Sequence, residues 1–132
     1  MELASTETYT YNKLEFFSGG YGSNSIHIIV DTYGNYKVEQ RYANGDIIVS
    51  ATKEHIEYTR REFNAMMKII KIVNTWKDYY DQPGLCDGPE IIISIDDKKT
   101  YIHSVSSKYY PKHYKTVIQC FNILIEFSGV HI

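Results

Sequence analysis

YKVEQRYANGDIIVSA, residues Tyr36–Ala51, decides the fold class. Tyr36-Lys37-Val38-Glu39 alternates apolar and charged residues, the period of a strand with one buried face. Ala43-Asn44-Gly45-Asp46 then separates this run from a second apolar one, Ile47–Ala51. An Asn-Gly pair between two strand-like runs is the strongest short-range hairpin signal. An antiparallel pair is therefore expected, and the rest of the chain is read outward from it.

Upstream, Ile26–Val30 is an apolar run broken only by His27 and reads as a buried strand. Asp31-Thr32-Tyr33-Gly34-Asn35 connects it to Tyr36 as a turn in which Gly34 is free to take positive φ. Leu14-Glu15-Phe16-Phe17 reads as a further short strand, followed by the loop Ser18–Ser25 with its three glycines. The first half is thus expected to be an antiparallel meander. Residues 1–11 are polar and aperiodic, a flexible lead-in. Leu14–Phe17 is expected at an unmatched edge, where pairing with a second copy would give a homodimer.

Downstream, Thr59 and Glu62 form a Thr-x-x-Glu capping box, in which each side chain satisfies a free N–H at a helix start. Phe63, Met66, Met67, Ile70, Val73 and Trp76 follow at helical spacing as a core stripe. Tyr79–Pro89 is the longest irregular stretch. Glu90–Ile95 and Lys99–Val105 read as a hairpin about Asp96-Asp97-Lys98. Ser106–Tyr110 is a loop, and Pro111 occupies a first helical position, where its missing N–H does no harm. Tyr114, Val117, Ile118, Phe121, Leu124 and Ile125 then form a second helical stripe, and Gly129 a stop. Strand runs interleaved with two helices predict an α+β fold: an antiparallel sheet of about six strands (meander, helix, hairpin, helix) with both helices packed on one face.

The chain of 132 residues is sized for a single domain, residues 1–132, with one hydrophobic core. Its hydrophobic content of 43% argues against disorder. The net charge of −2, with Lys and Arg scattered, makes a nucleic-acid partner unlikely, since phosphate binding needs a concentrated basic face. Only two cysteines, no basic-then-apolar N-terminal segment and no apolar run of about 18 residues point to a cytoplasmic protein with no membrane association.

The phrases Ser18-Gly19-Gly20, Asp31-x-x-Gly34, Trp76 at a helix end, Cys86-Asp87-Gly88-Pro89 before a hairpin and Tyr110-Pro111 before a last helix form a set. Over roughly residues 14–127 the chain resembles a group of small bacterial domains of unknown function that share such turn phrases. The resemblance implies an α+β fold with an antiparallel sheet, and no activity.

Catalytic and metal chemistry have little foothold. His27, His55, His103, His113 and His131 include no i, i+4 pair and no His-Glu-x-x-His, and the cysteines are unpaired in spacing, so no metal site and no cofactor are expected. Asp87 beside Cys86 would raise, not lower, that thiol's pKa. Ser18–Ser23 lacks the lysine and the following helix of a phosphate loop. Asp96-Asp97 falls in a turn, where solvated carboxylates are expected.

Tyrosine is abundant, 13 of 132 residues, and suits both strands and interfaces. Tyr79, Tyr80, Asp87, Tyr109 and Tyr110 lie in the two connections flanking the second hairpin, which can meet at one end of the sheet. With Lys112, and with Tyr21 from the glycine loop, they are the candidate binding residues; no catalytic residue is assigned. Three functions are expected in decreasing order. The first is a non-enzymatic interaction or inhibitor domain that occludes a protein partner, in the manner of a toxin-immunity protein or a phage-encoded inhibitor of host defence. The second is a protein that sequesters a small molecule or nucleotide. The third is an enzyme with an unfamiliar site.

Overall fold

A computed structural model describes residues 11–20, 22–54, 57–85 and 88–132. The Asn44-Gly45 signal yields the hairpin: β3 (Tyr36–Arg41) and β4 (Ile47–Lys53) pair antiparallel, with Gly45 at φ +94° in the turn. β1 (Lys13–Gly19) and β2 (Ser25–Asp31) complete the meander. α1 (Arg60–Val73) follows, then β5 (Tyr79–Asp81), β6 (Glu90–Ile95), β7 (Lys98–His103) and α2 (Tyr114–Leu124). The described residues form one sheet of seven strands in the order β4-β3-β2-β1-β6-β7-β5, antiparallel except for the β5–β7 pair. The class is the expected α+β, with one strand more.

The additional strand is Tyr79–Asp81, inside the stretch read as irregular. It runs parallel to β7, tied by Tyr101 N–H to the Asp78 carbonyl (2.8 Å) and Gln82 N–H to the His103 carbonyl (2.9 Å). Three residues give no period to read, so this strand exists only because β7 offers an edge. A second correction concerns β1. It is paired on both sides, with β2 and with β6, and lies at the centre of the sheet rather than at an edge. The outer strands are β4 and β5.

Strand alternation sorts residues onto two faces. Leu14, Phe16, Ile28, Val30, Tyr36, Val38, Ile91, Ile93 and Ile102 face inward and are buried. Against them pack Phe63, Ala65, Met66, Ile69, Ile70 and Val73 of α1 and Val117, Cys120, Phe121 and Leu124 of α2, with Phe16 and Phe121 ring centroids 5.6 Å apart. The α1 face is turned slightly from the expected stripe: Ala65 and Ile69 are buried, while Met67 is only half-buried. Tyr11, placed in the lead-in by its polar neighbours, belongs to the core, its hydroxyl on the Met66 sulfur. Residues 1–10 lie outside the described residues.

The capping box forms as read: Thr59 Oγ1 accepts from Glu62 N–H, and Glu62 Oε1 accepts from Thr59 N–H, each at 3.1 Å. The helix itself ends at Val73, and Trp76 caps the turn beyond it. Pro111 precedes α2 by a turn instead of opening it. His113 takes a left-handed conformation (φ 65°) just before Tyr114.

Asp96, expected to be solvated, has a structural task. Its φ of 50° makes the β6–β7 turn, and its Oδ1 accepts the backbone N–H groups of Asn12 and Lys13, each at 2.9 Å. Asp tolerates this left-handed backbone, and its carboxylate fixes the start of the central strand. Asp96→Ala is expected to cost about 1–3 kcal/mol, from two lost charge-assisted hydrogen bonds and backbone strain. Asp96→Asn, which keeps an acceptor and tolerates the same backbone, should recover most of it in urea denaturation.

Candidate functional site

Two surfaces follow from the register. The first is on the inner side. Gln40, Ile26, Ser18 and Ile91 are direct cross-strand neighbours on β3, β2, β1 and β6 and form one row at the end of the sheet. The neighbouring inner row, Val38, Ile28, Phe16 and Ile93, is apolar and lies under the helices. The end row is only partly covered. Over it stand Tyr110, Tyr114 and Ile118 from α2 and the segment before it, with Ile132 beside them. A cleft of about 430 Å³ remains between floor and wall, lined also by Phe16, Asn24 and Ser25.

The wall is held in place. The Tyr110 and Tyr114 rings meet edge to face, centroids 4.6 Å apart, and Tyr110 donates its hydroxyl to the Ser104 carbonyl at 3.2 Å. Burial, and secondarily the neighbouring Tyr110, pushes the Tyr114 phenol above its ordinary value, so it is a neutral hydroxyl. Asn122 pins the last residue by a reciprocal pair of hydrogen bonds with the Ile132 backbone, 2.8 and 3.1 Å.

The second surface is the outer face of the sheet, over which no helix of the described residues packs. Its middle row runs Glu39–His27–Phe17–Ile92–Tyr101–Tyr79, each residue directly opposite the next across β3, β2, β1, β6, β7 and β5. Tyr79 and Tyr101 stack with centroids 5.2 Å apart, and Phe17 and His27 meet edge to face at 6.2 Å. Gly19 has a local reason to be glycine, since a Cβ there would fall 2.9 Å from the Phe17 ring. The flanks are charged. Glu15 takes Lys13 Nζ at 2.8 Å and His27 Nε2 at 3.0 Å, and Glu39 takes Arg41 Nε at 2.6 Å.

Glu15 couples this face to pH. Burial pushes its carboxyl up, but hydrogen bonds with Lys13 and His27 outweigh burial and hold it below the ordinary value of 4.5. A depressed folded-state pKa gives stability that is present above the unfolded value and lost as pH falls through the folded one. Glu15→Gln is therefore expected to lose less stability than wild type on acidification from about pH 6 to pH 3, read from urea midpoints at each pH. Equal losses would remove Glu15 from the account.

The candidate residues divide between these surfaces. Tyr79 is 65% exposed on the outer face, while its neighbour Tyr80 points inward against the core and its hydroxyl accepts the Lys77 N–H at 3.0 Å. Tyr110 lines the inner cleft. Tyr109 is half-buried under the Lys108 ammonium, 5.5 Å from its ring centre. The side chain of Lys112 is exposed, and its carbonyl accepts the Trp76 indole N–H at 2.9 Å. Tyr21 and Asp87 lie outside the described residues, as does Cys86. The two connections do meet at one end of the sheet: Gln82 Oε1 accepts Val105 N–H (3.0 Å) and Ser106 N–H (3.3 Å). They do not gather Tyr79, Tyr80, Tyr109 and Tyr110 onto one surface.

The sequence does not single out Gln40, and Ser18, expected at the start of the glycine loop, is instead a residue of β1. The signal was present, a polar residue at an inward position in Leu14-x-Phe16-x-Ser18 and in Tyr36-x-Val38-x-Gln40, but only the register shows that they share a row. Cys120 is buried, and burial raises its thiol pKa, which suits packing rather than nucleophilic chemistry. Among the described residues no cluster of three His, Cys, Asp or Glu side chains converges as a metal site, and no helix is long and apolar enough to cross a membrane. No protein-family model and no curated protein matches the chain.

Proposed function

We propose that the chain is a non-enzymatic interaction domain of the cytoplasm that inhibits a protein partner by covering it, and that the outer sheet face is the contact surface. The observation that carries this reading is the row His27–Phe17–Ile92–Tyr101–Tyr79, an aromatic and apolar centre between charged flanks. Interfaces have this anatomy, with aromatic anchors in the middle and a polar rim. A face built on paired strands is already rigid, so little ordering entropy opposes association.

The test is capture from a lysate of the native host, with Tyr79→Ala/Tyr101→Ala as the control. Both rings are at least partly exposed, so the variant should stay folded by circular dichroism. A stoichiometric protein should be captured by wild type and bound by the variant at least about 30-fold more weakly, as hot-spot aromatics imply. Equal capture by the two proteins, or no stoichiometric protein at all, overturns the reading. A second reading, sequestration of a small molecule, is supported by the cleft on the opposite side of the sheet.

A further inference from the structure

We infer that the cleft between the end row of the sheet and α2 is a binding site for a neutral, flat, predominantly apolar small molecule that carries hydrogen-bonding groups. The inference is independent of the partner surface, since the two lie on opposite faces of the sheet.

Four observations carry it. The cleft holds about 430 Å³, within the range of small-ligand sites. Its apolar surface comes from Ile26, Ile91 and Ile118 and from the rings of Phe16, Tyr110 and Tyr114, so a flat molecule meets both aliphatic floor and aromatic wall. Within that surface the side chains of Ser18, Gln40 and Tyr114 have no hydrogen-bond partner among the described residues. None of them is a sealed, unsatisfied group, and all three residues line the cleft, where water or a ligand can complete them. Together they present hydroxyl donors and an amide able to donate and accept.

The fourth observation is charge. Among the described residues, no Asp, Glu, Lys, Arg or His side chain lines the cleft. An anion entering it would shed water without gaining a counter-charge, which is costly. The site therefore disfavours nucleotides and other phosphates relative to uncharged molecules. The Tyr110–Ser104 and Tyr110–Tyr114 contacts hold the wall in its open shape, so binding needs little rearrangement.

The probe is N-phenylnaphthylamine, which is neutral, flat and fluorescent in apolar surroundings. Its sulfonated analogue, anilinonaphthalene sulfonate, supplies the same rings with a charge. The wild-type chain is expected to bind the neutral probe at one site, and the sulfonate at least about tenfold more weakly. Ile118→Trp, a filling change at a half-buried position, should reduce neutral-probe binding at least about tenfold. Backbone amide shifts on titrating the wild type should concentrate at Ser18, Ile26, Gln40 and Ile118, a readout that needs no variant to fold. Tyr79→Ala/Tyr101→Ala should bind the probe as wild type does, which separates this site from the partner surface. Absence of saturable binding, shifts that map elsewhere, or equal affinity for the sulfonate would overturn the inference. So would loss of a captured protein partner in Ile118→Trp, which would make the cleft part of that interface.

Discussion

Tyr36→Ala is expected to destabilise the domain by about 3–5 kcal/mol, a large part of the roughly 5–15 kcal/mol that holds a domain of this size together. The ring is 1% exposed and packs against Tyr58 and Phe127, with centroids 5.7 and 5.6 Å away. Its hydroxyl donates to Glu62 Oε2 at 2.6 Å, the carboxylate whose other oxygen completes the capping box of α1. Burial first, then Glu62, raises the phenol's pKa, so it remains a neutral donor throughout the accessible pH range. One side chain thus joins the sheet to the start of the helix. Tyr36→Phe should cost less, about 1.5–3 kcal/mol, since the ring stays and one hydrogen bond to a charged acceptor is lost. Urea denaturation followed by far-ultraviolet circular dichroism separates the two. Equal losses in both variants would mean that the hydroxyl, not the ring, dominates.

Trp76→Ala should have an effect of similar size, about 3–5 kcal/mol. The only tryptophan of the chain is 6% exposed and sits where α1 turns toward the far edge of the sheet. Its indole N–H reaches the Lys112 carbonyl at 2.9 Å, and its own carbonyl accepts Lys98 Nζ at 3.1 Å. It thereby ties the end of α1 to the segment before α2 and to the start of β7. Trp76→Phe retains most of the buried area and should lose about 1–2 kcal/mol, from an unpaired Lys112 carbonyl. Because the variants remove the fluorophore, far-ultraviolet dichroism is again the readout. A loss in Trp76→Ala below about 1 kcal/mol would show that this junction is not cooperative with the core.

The candidate site was legible only in part, and the reason is the range over which each feature is encoded. Lys112 stands out in the sequence for its charge, yet its backbone carbonyl carries the contact with Trp76. Tyr79 and Tyr80 are sequence neighbours. Adjacent strand residues point to opposite faces, so Tyr79 joins the outer row while Tyr80 turns to the core. Ser18 and Gln40 are 22 positions apart and look like incidental polar residues until the meander places Ile26 between them.

What the sequence determined by itself is what depends on a few consecutive residues. The Asn44-Gly45 turn, the alternation around Val38, the Thr59–Glu62 cap and the existence of both amphipathic helices each depend on a few consecutive residues, and each appears near where its pattern stands, the buried face of α1 turned slightly. The tertiary structure alone decided what depends on a partner distant in the chain. β6 inserts beside β1 and makes it central, β5 forms on the edge that β7 provides, and Asp96 reaches back to Asn12 and Lys13. The end row under α2 becomes a cleft because the two helices cover the apolar rows and leave the row with Ser18 and Gln40 partly open. A backbone strand has the same donors and acceptors whatever its side chains, so local pattern can say that a strand exists, but not which strand lies beside it.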